Sequence, residues 1–167
     1  MTLFFKPIGL AHLDEVITVF QAAAEKIHKM QIDHWQYWRQ PPKEKIDWIK
    51  QGLSQNEYFF IFNTAQQQIG MVRIIDKDFM YWGKQTEKAK YVHSLVVNEE
   101  FNGQGLGKQI LEHIAEEAKA EGCQYLRLDA DSKNPKLCSY YAKLGFQQVG
   151  SVTLPLSTYT LFQKKLT

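Results

Sequence analysis

The sequence predicts one mixed α/β domain over residues 1–167. Segments with the two-residue apolar period of strands alternate along it with segments of helical period. No internal repeat, low-complexity run or Pro/Gly/Ser-rich linker interrupts them. With 167 residues, 44% of them apolar, the chain is long enough to bury a real hydrophobic core.

Thr2 to Ile8 reads as the first strand, closed by Pro7 and Gly9. Leu10 to about Met30 is helical, with Leu13, Val16, Ile17, Phe20 and Ile27 on one side. QIDHWQYWRQPP, residues 31–42, is rich in aromatics and ends in a Pro-Pro pair that no helix continues through. A second helix over Lys43 to about Leu53 carries Ile46, Trp48, Ile49 and Leu53. Tyr58–Asn63 and Gln68–Asp76 read as strands joined by the polar turn TAQQ. Tyr81–Thr86 reads as loop and Ala89–Val97 as a strand. A helix from about Gly105 to Glu121 follows, with Gly122 placed to end it. Gln124–Ala130 is a strand that sets Tyr125, Arg127 and Asp129 against Leu126, Leu128 and Ala130. Asn134–Leu144 is the fourth helix, and Phe146–Val152 and Thr158–Leu166 are the last strands.

The formal charge of +2 gives no basis for binding nucleic acid or a membrane surface. No run of roughly 18 uncharged apolar residues is present, and the N-terminal MTLFFKPIGLAHLDEV has no secretory pattern. Cys123 and Cys138 are too few for a disulfide framework and lack metal-ligand spacing, so no metal site is expected. A reduced, cytoplasmic setting is the expectation.

The stretch NEEFNGQGLGKQILEHIAEEA, residues 98–118, sets three glycines and a lysine at the start of a helix. A P-loop is excluded: Asn102 falls where the first glycine belongs, and Gln109 where the metal-binding hydroxyl belongs. A dinucleotide fingerprint fails as well, because Lys108 or Ile110 takes the place of its third glycine. What remains is a strand, a short turn and G-x-G-x-G opening a helix. Backbone N–H groups there lack intrahelical partners, and the helix dipole adds positive charge. Small glycines let a pyrophosphate approach, with Lys108 adding a point charge. A glycine-rich turn that binds nothing is the alternative on the loop alone.

Three separated pieces, in order, resemble the GCN5-related N-acetyltransferase (GNAT) family. VHSLVVNEEFNGQGLGKQIL is similar to the family's strand and its acyl-CoA loop, Q/R-x-x-G-x-G/A. QYLRLDA resembles the next strand, and NPKLCSYYAKLGFQQVG the segment that closes the site. The match runs from about Ala89 to Gly150. It implies a central mixed, mostly antiparallel sheet of six to seven strands with about four helices, whose splayed central strands hold acyl-CoA. The family's Gln or Arg falls here on Asn102, which is shorter and uncharged, so a side-chain contact with pyrophosphate weakens there. The backbone cradle from Gly103 to Lys108 does not depend on it.

The resemblance implies an acetyl-CoA-dependent transfer of acetyl to a primary amine of a small molecule or peptide, without an enzyme-bound acetyl. The cofactor would meet Leu95, Val96 and Val97 along the strand, then Asn102, Gly103, Gln104, Gly105, Leu106, Gly107 and Lys108, with Asn134 and Tyr141 beyond. A backbone N–H at Leu95–Val97 would act as an oxyanion donor worth about 3 kcal/mol. The same three residues read equally as core. A lysine-like amine has a pKa of about 10.4, so a base must take a proton. Strand alternation puts Tyr91, His93 and Leu95 on one face. His93 is the candidate base, with a structural histidine as the other reading; Glu99 and Glu100 are alternatives.

By the family pattern Tyr141 is the general acid that returns a proton to the thiolate. Tyr140 reads as packing, Asn134 as a helix cap that also contacts the cofactor, and Cys138 as a small buried hydrophobe. For the acceptor the resemblance points to the 31–42 segment, where Asp33, His34, Trp35, Tyr37 and Trp38 suit a cationic amine or simply pack the loop. Tyr91, and the loop with Asp76, Asp78 and Tyr81, border the same expectation. The resemblance also allows a homodimer. A non-catalytic acyl-CoA-binding or sensing domain is the alternative function, and it would keep the loop but not the proton-handling groups.

Overall fold

The computed structural model describes residues 2–33 and 35–166. Its elements are β1 (Phe4–Pro7), α1 (Leu13–Lys29), α2 (Lys43–Ser54), β2 (Tyr58–Phe62), β3 (Gln68–Ile75) and α3 (Phe79–Trp82). They continue with β4 (Ala89–Val97), α4 (Leu106–Ala120), β5 (Tyr125–Asp131), α5 (Pro135–Lys143), β6 (Gln147–Thr153) and β7 (Thr158–Lys165). Short 3-10 turns cover Leu10–His12, Gln36–Arg39 and Glu99–Phe101. The strands follow the order β1-β2-β3-β4-β5-β7-β6 in a mixed sheet, as the resemblance implies. The chain divides into two compact units, residues 1–73 with 94–109 and residues 74–93 with 110–167. Strands β3 and β4 and helix α4 each run from one unit into the other.

In the first unit, β1 and β2 pair antiparallel, as do β2 and β3. Val16, Phe20 and Ala24, four residues apart on α1, are buried and give that helix its inner stripe. Asp14 and Glu15 in its first turn, and Lys26, His28 and Lys29 in its last, complement its dipole. This stripe joins Trp38, Ile49, Leu53, Tyr58, Phe60, Met71 and Val96 in one core cluster. The Phe20 and Trp38 rings stack 4.0 Å apart, so part of the aromatic 31–42 segment is core. Gly70 of β3 lies against β4: a Cβ there would clash with the Val96 carbonyl oxygen.

In the second unit, β5 pairs antiparallel with β7 along its whole length, and β6 pairs antiparallel with β7. The parallel β4–β5 ladder is shorter, running from Ala89↔Tyr125 to Val92↔Leu128, although both strands continue. Just past it Ser94 takes a left-handed backbone, φ +56, which few residues other than glycine adopt. Such a residue interrupts a strand's alternation, so the face rule applies only through His93. Arg127 is buried on β5. It donates from Nη1 to the Tyr91 hydroxyl at 2.9 Å and from Nε to Gln163 at 3.1 Å, with its guanidinium over the Trp82 and Tyr125 rings.

Strand and helix bounds agree with the sequence reading to within a few residues, with one addition. Part of the expected loop after residue 80 is the single-turn helix α3, because the Asp78 carboxylate accepts from the Tyr81 backbone N–H and caps it. Gly122, at φ +84, ends α4 as expected.

Candidate functional site

Asp78, His93 and Asp129 come together within the second unit. The parallel register pairs Tyr91 with Arg127, so the next residue on the same face of each strand is His93 on β4 and Asp129 on β5. Asp78 arrives from the turn before α3. His93 Nε2 lies 2.6 Å from Asp78 Oδ2, and His93 Nδ1 lies 3.4 Å from Asp129 Oδ1. The three side chains are only 9%, 5% and 11% exposed for His93, Asp78 and Asp129. Tyr81 covers the imidazole, with ring centroids 5.0 Å apart, and packs edge-on against Tyr159.

The two carboxylates are held differently. Asp78 is fully engaged, one oxygen capping α3 and the other on His93. Asp129 Oδ1 is buried within ion-pair reach of Nδ1 but makes no hydrogen bond to a described residue. Burial pushes the Asp129 carboxyl up to about 6. Asp78 and Asp131 add to the rise, and His93 opposes it.

Tyr141 lies in the same unit, buried on α5 between Phe146 and Phe162 at 6.0 and 5.9 Å. Burial raises its phenol far above the ordinary tyrosine value, and the negative charge of Asp129 is the next largest contribution. The phenol therefore stays protonated. Asn134 sets this helix: its side-chain oxygen accepts from the Leu137 N–H at 3.1 Å, with Pro135 at the first helical position. Tyr140 is 37% exposed with its ring 5.8 Å from Tyr141, and Cys138 is partly exposed rather than buried.

The glycine loop belongs to the first unit. The Asn98 N–H donates to the Ile69 carbonyl and its side chain to that of Gln68, so the loop starts from a point fixed on β3. Gly103 and Gly105 have φ of +78 and +70, a conformation in which other residues are strained. A Cβ at either position would meet nothing within 4 Å, so the backbone is open on that side. Leu106 is buried and anchors the first turn of α4, while Gly103, Gln104, Gly105 and Lys108 are exposed. Open glycine backbone, the N-terminus of a 15-residue helix and a lysine fit a pyrophosphate. Val96 is buried, Leu95 and Val97 partly so, and Asn102 is exposed.

Of the residues expected to meet an acceptor, Asp33 is exposed and Trp35 and Tyr37 are partly buried in the first unit. Trp35, left-handed at φ +61, packs on Phe20 at 5.5 Å, and Lys45 sits over the Tyr37 ring at 4.7 Å. His34 lies outside the described residues. Tyr91 is buried in the second unit with its hydroxyl on Arg127.

Among the described residues, Asp78, His93 and Asp129 are grouped closely enough to hold a metal ion, their ligand atoms lying within 4.8 Å. Two donors on one tetrahedral zinc, each about 2.0–2.2 Å from it, stand more than 3 Å apart. The 2.6 Å Asp78–His93 contact is therefore closed by a proton. The sequence places Asp78 only in a loop bordering the acceptor and Asp129 only on a strand face. The matched two-residue steps Tyr91/His93 and Arg127/Asp129 bring the last two together only once the parallel register is known.

A profile of the acetyltransferase (GNAT) family matches residues 24–146. An uncharacterized N-acetyltransferase, YesJ, of Bacillus subtilis is 28% identical over 127 residues, covering 70% of this chain and 66% of that protein. The chain spans about two thirds or less of the length of the curated relatives it matches. A GNAT-family acetyltransferase structure from Listeria monocytogenes superimposes with a TM-score of 0.78 at 20% identity, covering 98% of this chain and 94% of that one. Spermidine N-acetyltransferase from Vibrio cholerae, crystallised with CoA and spermine, gives 0.67 at 14% identity, covering 98% and 95%.

Proposed function

The chain belongs to the acetyltransferase (GNAT) family, and from that premise we propose that it transfers acetyl from acetyl-CoA directly to a primary amine. The observation that carries this reading is a largely shielded histidine between two carboxylates in the same unit as a buried, protonated tyrosine. A glycine loop shaped for pyrophosphate supports it.

Backbone N–H groups from Gly103 to Lys108 bind the pyrophosphate, with Lys108 adding charge and Asn102 a weak polar contact. Leu95, Val96 and Val97 offer main-chain groups to the cofactor arm. Asn134 caps α5 and so sets the position of Tyr141, seven residues on. When bound, acetyl-CoA supplies an acetyl group activated as a thioester. His93 takes the proton that the acceptor's ammonium must lose, and the Tyr141 hydroxyl gives a proton to the departing sulfur.

The acceptor is a cationic amine of a small molecule or peptide, which suits the two carboxylates around His93. The spermidine acetyltransferase likeness agrees with that class. Two free cysteines fit a reducing, cytoplasmic location, and among the described residues no helix is long and apolar enough to cross a membrane. Pairing of two copies along the exposed terminal strand β6 is the dimer this reading includes.

Thermal shift tests the cofactor. Acetyl-CoA at about 100 times its dissociation constant should stabilise the fold by about 2.7 kcal/mol. CoA should act likewise, ATP weakly, and Gly105→Glu should abolish the effect. No shift at millimolar acetyl-CoA would overturn the reading. A shift without turnover on an amine panel would favour a non-catalytic acyl-CoA sensor.

A further inference from the structure

Each ring nitrogen of His93 faces a carboxylate. The two flanking contacts are unequal. Asp78 Oδ2 is 2.6 Å from Nε2, the length of a charge-assisted hydrogen bond, and its other oxygen is fixed on the Tyr81 N–H. An ionised carboxylate only accepts, so Nε2 carries the hydrogen. In the neutral ring Nδ1 then bears the lone pair, and it faces the buried Asp129 Oδ1 at 3.4 Å. Two acceptors face each other there, an arrangement that one proton relieves.

We propose that Asp78 is the positioning residue of His93, holding it in the Nε2–H tautomer, and that Nδ1 together with Asp129 is the proton-accepting end of the site. This rests on the reading of the chain as an amine acetyltransferase. The proton lost by the acceptor's ammonium goes to Nδ1, leaving a neutral amine and an imidazolium with one N–H toward each carboxylate. From Nδ1 it can pass to Asp129 Oδ1, giving a neutral imidazole and a carboxylic acid. The ring carbons and the Nε2–H bond are unchanged throughout. Among the described residues, the ionisable groups around the pair are Asp78 before α3, Tyr81 on α3, Asp131 on β5 and Tyr141 on α5, with Tyr159 on β7 packed against Tyr81. Burial, with Asp78 and Asp131, holds the Asp129 carboxyl up to about 6, which makes it a competent proton store near neutrality.

The test combines a readout independent of turnover with a kinetic one. Long-range proton–nitrogen NMR correlations of 15N-histidine-labelled wild type at pH 8 should show His93 as the Nε2–H tautomer. Asp78→Asn keeps an oxygen to cap α3 but removes the charge. It should move the acidic limb of the pH–rate profile down by about one unit, since a carboxylate beside an imidazolium raises its pKa. The KM for acetyl-CoA should stay unchanged. Asp129→Asn should shift the same limb downward and lower kcat. A wild-type Nδ1–H tautomer, or a pH profile unmoved in Asp78→Asn, would overturn the proposal. Absence of any acetyl transfer by wild type would instead sink the activity reading, and the tautomer would still be read.

Discussion

Asp78 and His93 stand 2.6 Å apart, Oδ2 to Nε2, both almost wholly shielded from water, and the same carboxylate caps helix α3 through the Tyr81 N–H. One side chain thus ends a turn, starts a helix and orients the imidazole of the neighbouring strand. Histidine orientation and local backbone structure are coupled here, so the site and the short helix stand or fall together.

Tyr141→Phe removes the phenolic proton and leaves the ring packed on Phe146 and Phe162. A general acid contributes roughly a hundredfold or more, so kcat should fall by at least that factor with little change in the KM for acetyl-CoA. Steady-state thiol release measures both. Loss confined to KM would place the hydroxyl in binding rather than in proton transfer.

Asp129 makes stability depend on pH with a definite sign. Its carboxyl is raised from 3.8 to about 6 by burial, so the folded state holds the proton more tightly than the unfolded chain. That contribution is fully present below about pH 4 and is lost as pH rises through about 6, costing about 3 kcal/mol over the interval. Asp129→Asn should therefore gain on wild type in urea unfolding between pH 4 and 7. Parallel pH curves for the two proteins would show that Asp129 is not burdened in this way.

Gly70→Ala should be destabilised by about 3 kcal/mol or more, because the new methyl runs into the main-chain Val96 oxygen, which no rotamer change can move. Gly9→Ala, where a Cβ meets nothing, is the matched control and should change stability little. A urea midpoint for Gly70→Ala equal to wild type would mean that β3 and β4 do not approach as closely as this.

Much of the fold could be read from residue order. Ala89–Val97 is rich in strand-forming residues and bounded by polar turns, and Asn134-Pro135 announces a helix start, so both elements lie where the sequence puts them. Helix α3 was not legible as a helix: four residues are too few to show a 3.6-residue period, and only the Asp78 cap marks it. The left-handed Ser94 was equally hidden, since nothing about a serine in a β-rich run announces a positive φ. Of the candidate site, His93 and Tyr141 are the residues that the resemblance singled out in the sequence. Asp129 was visible as a face but not as a partner, because the parallel register that brings it beside His93 is a long-range pairing. Asp78 lies fifteen residues from its partner, across a turn whose course no local pattern fixes. The aromatics at 35–38 read either as a wall for a cation or as packing for the loop, and Trp38 takes the second role, stacked on Phe20.

Product analysis decides whether the protein acetylates amines. Purified protein is incubated with acetyl-CoA and a panel of polyamines, aminoglycosides, amino acids and short peptides, with CoA release and product mass read together. Stoichiometric CoA and a singly N-acetylated amine from at least one class are expected, with no acetylated protein intermediate and with both signals lost in Gly105→Glu. Acetyl-CoA binding with neither CoA release nor an acetylated amine, across the panel and from pH 6 to 9, would contradict that expectation.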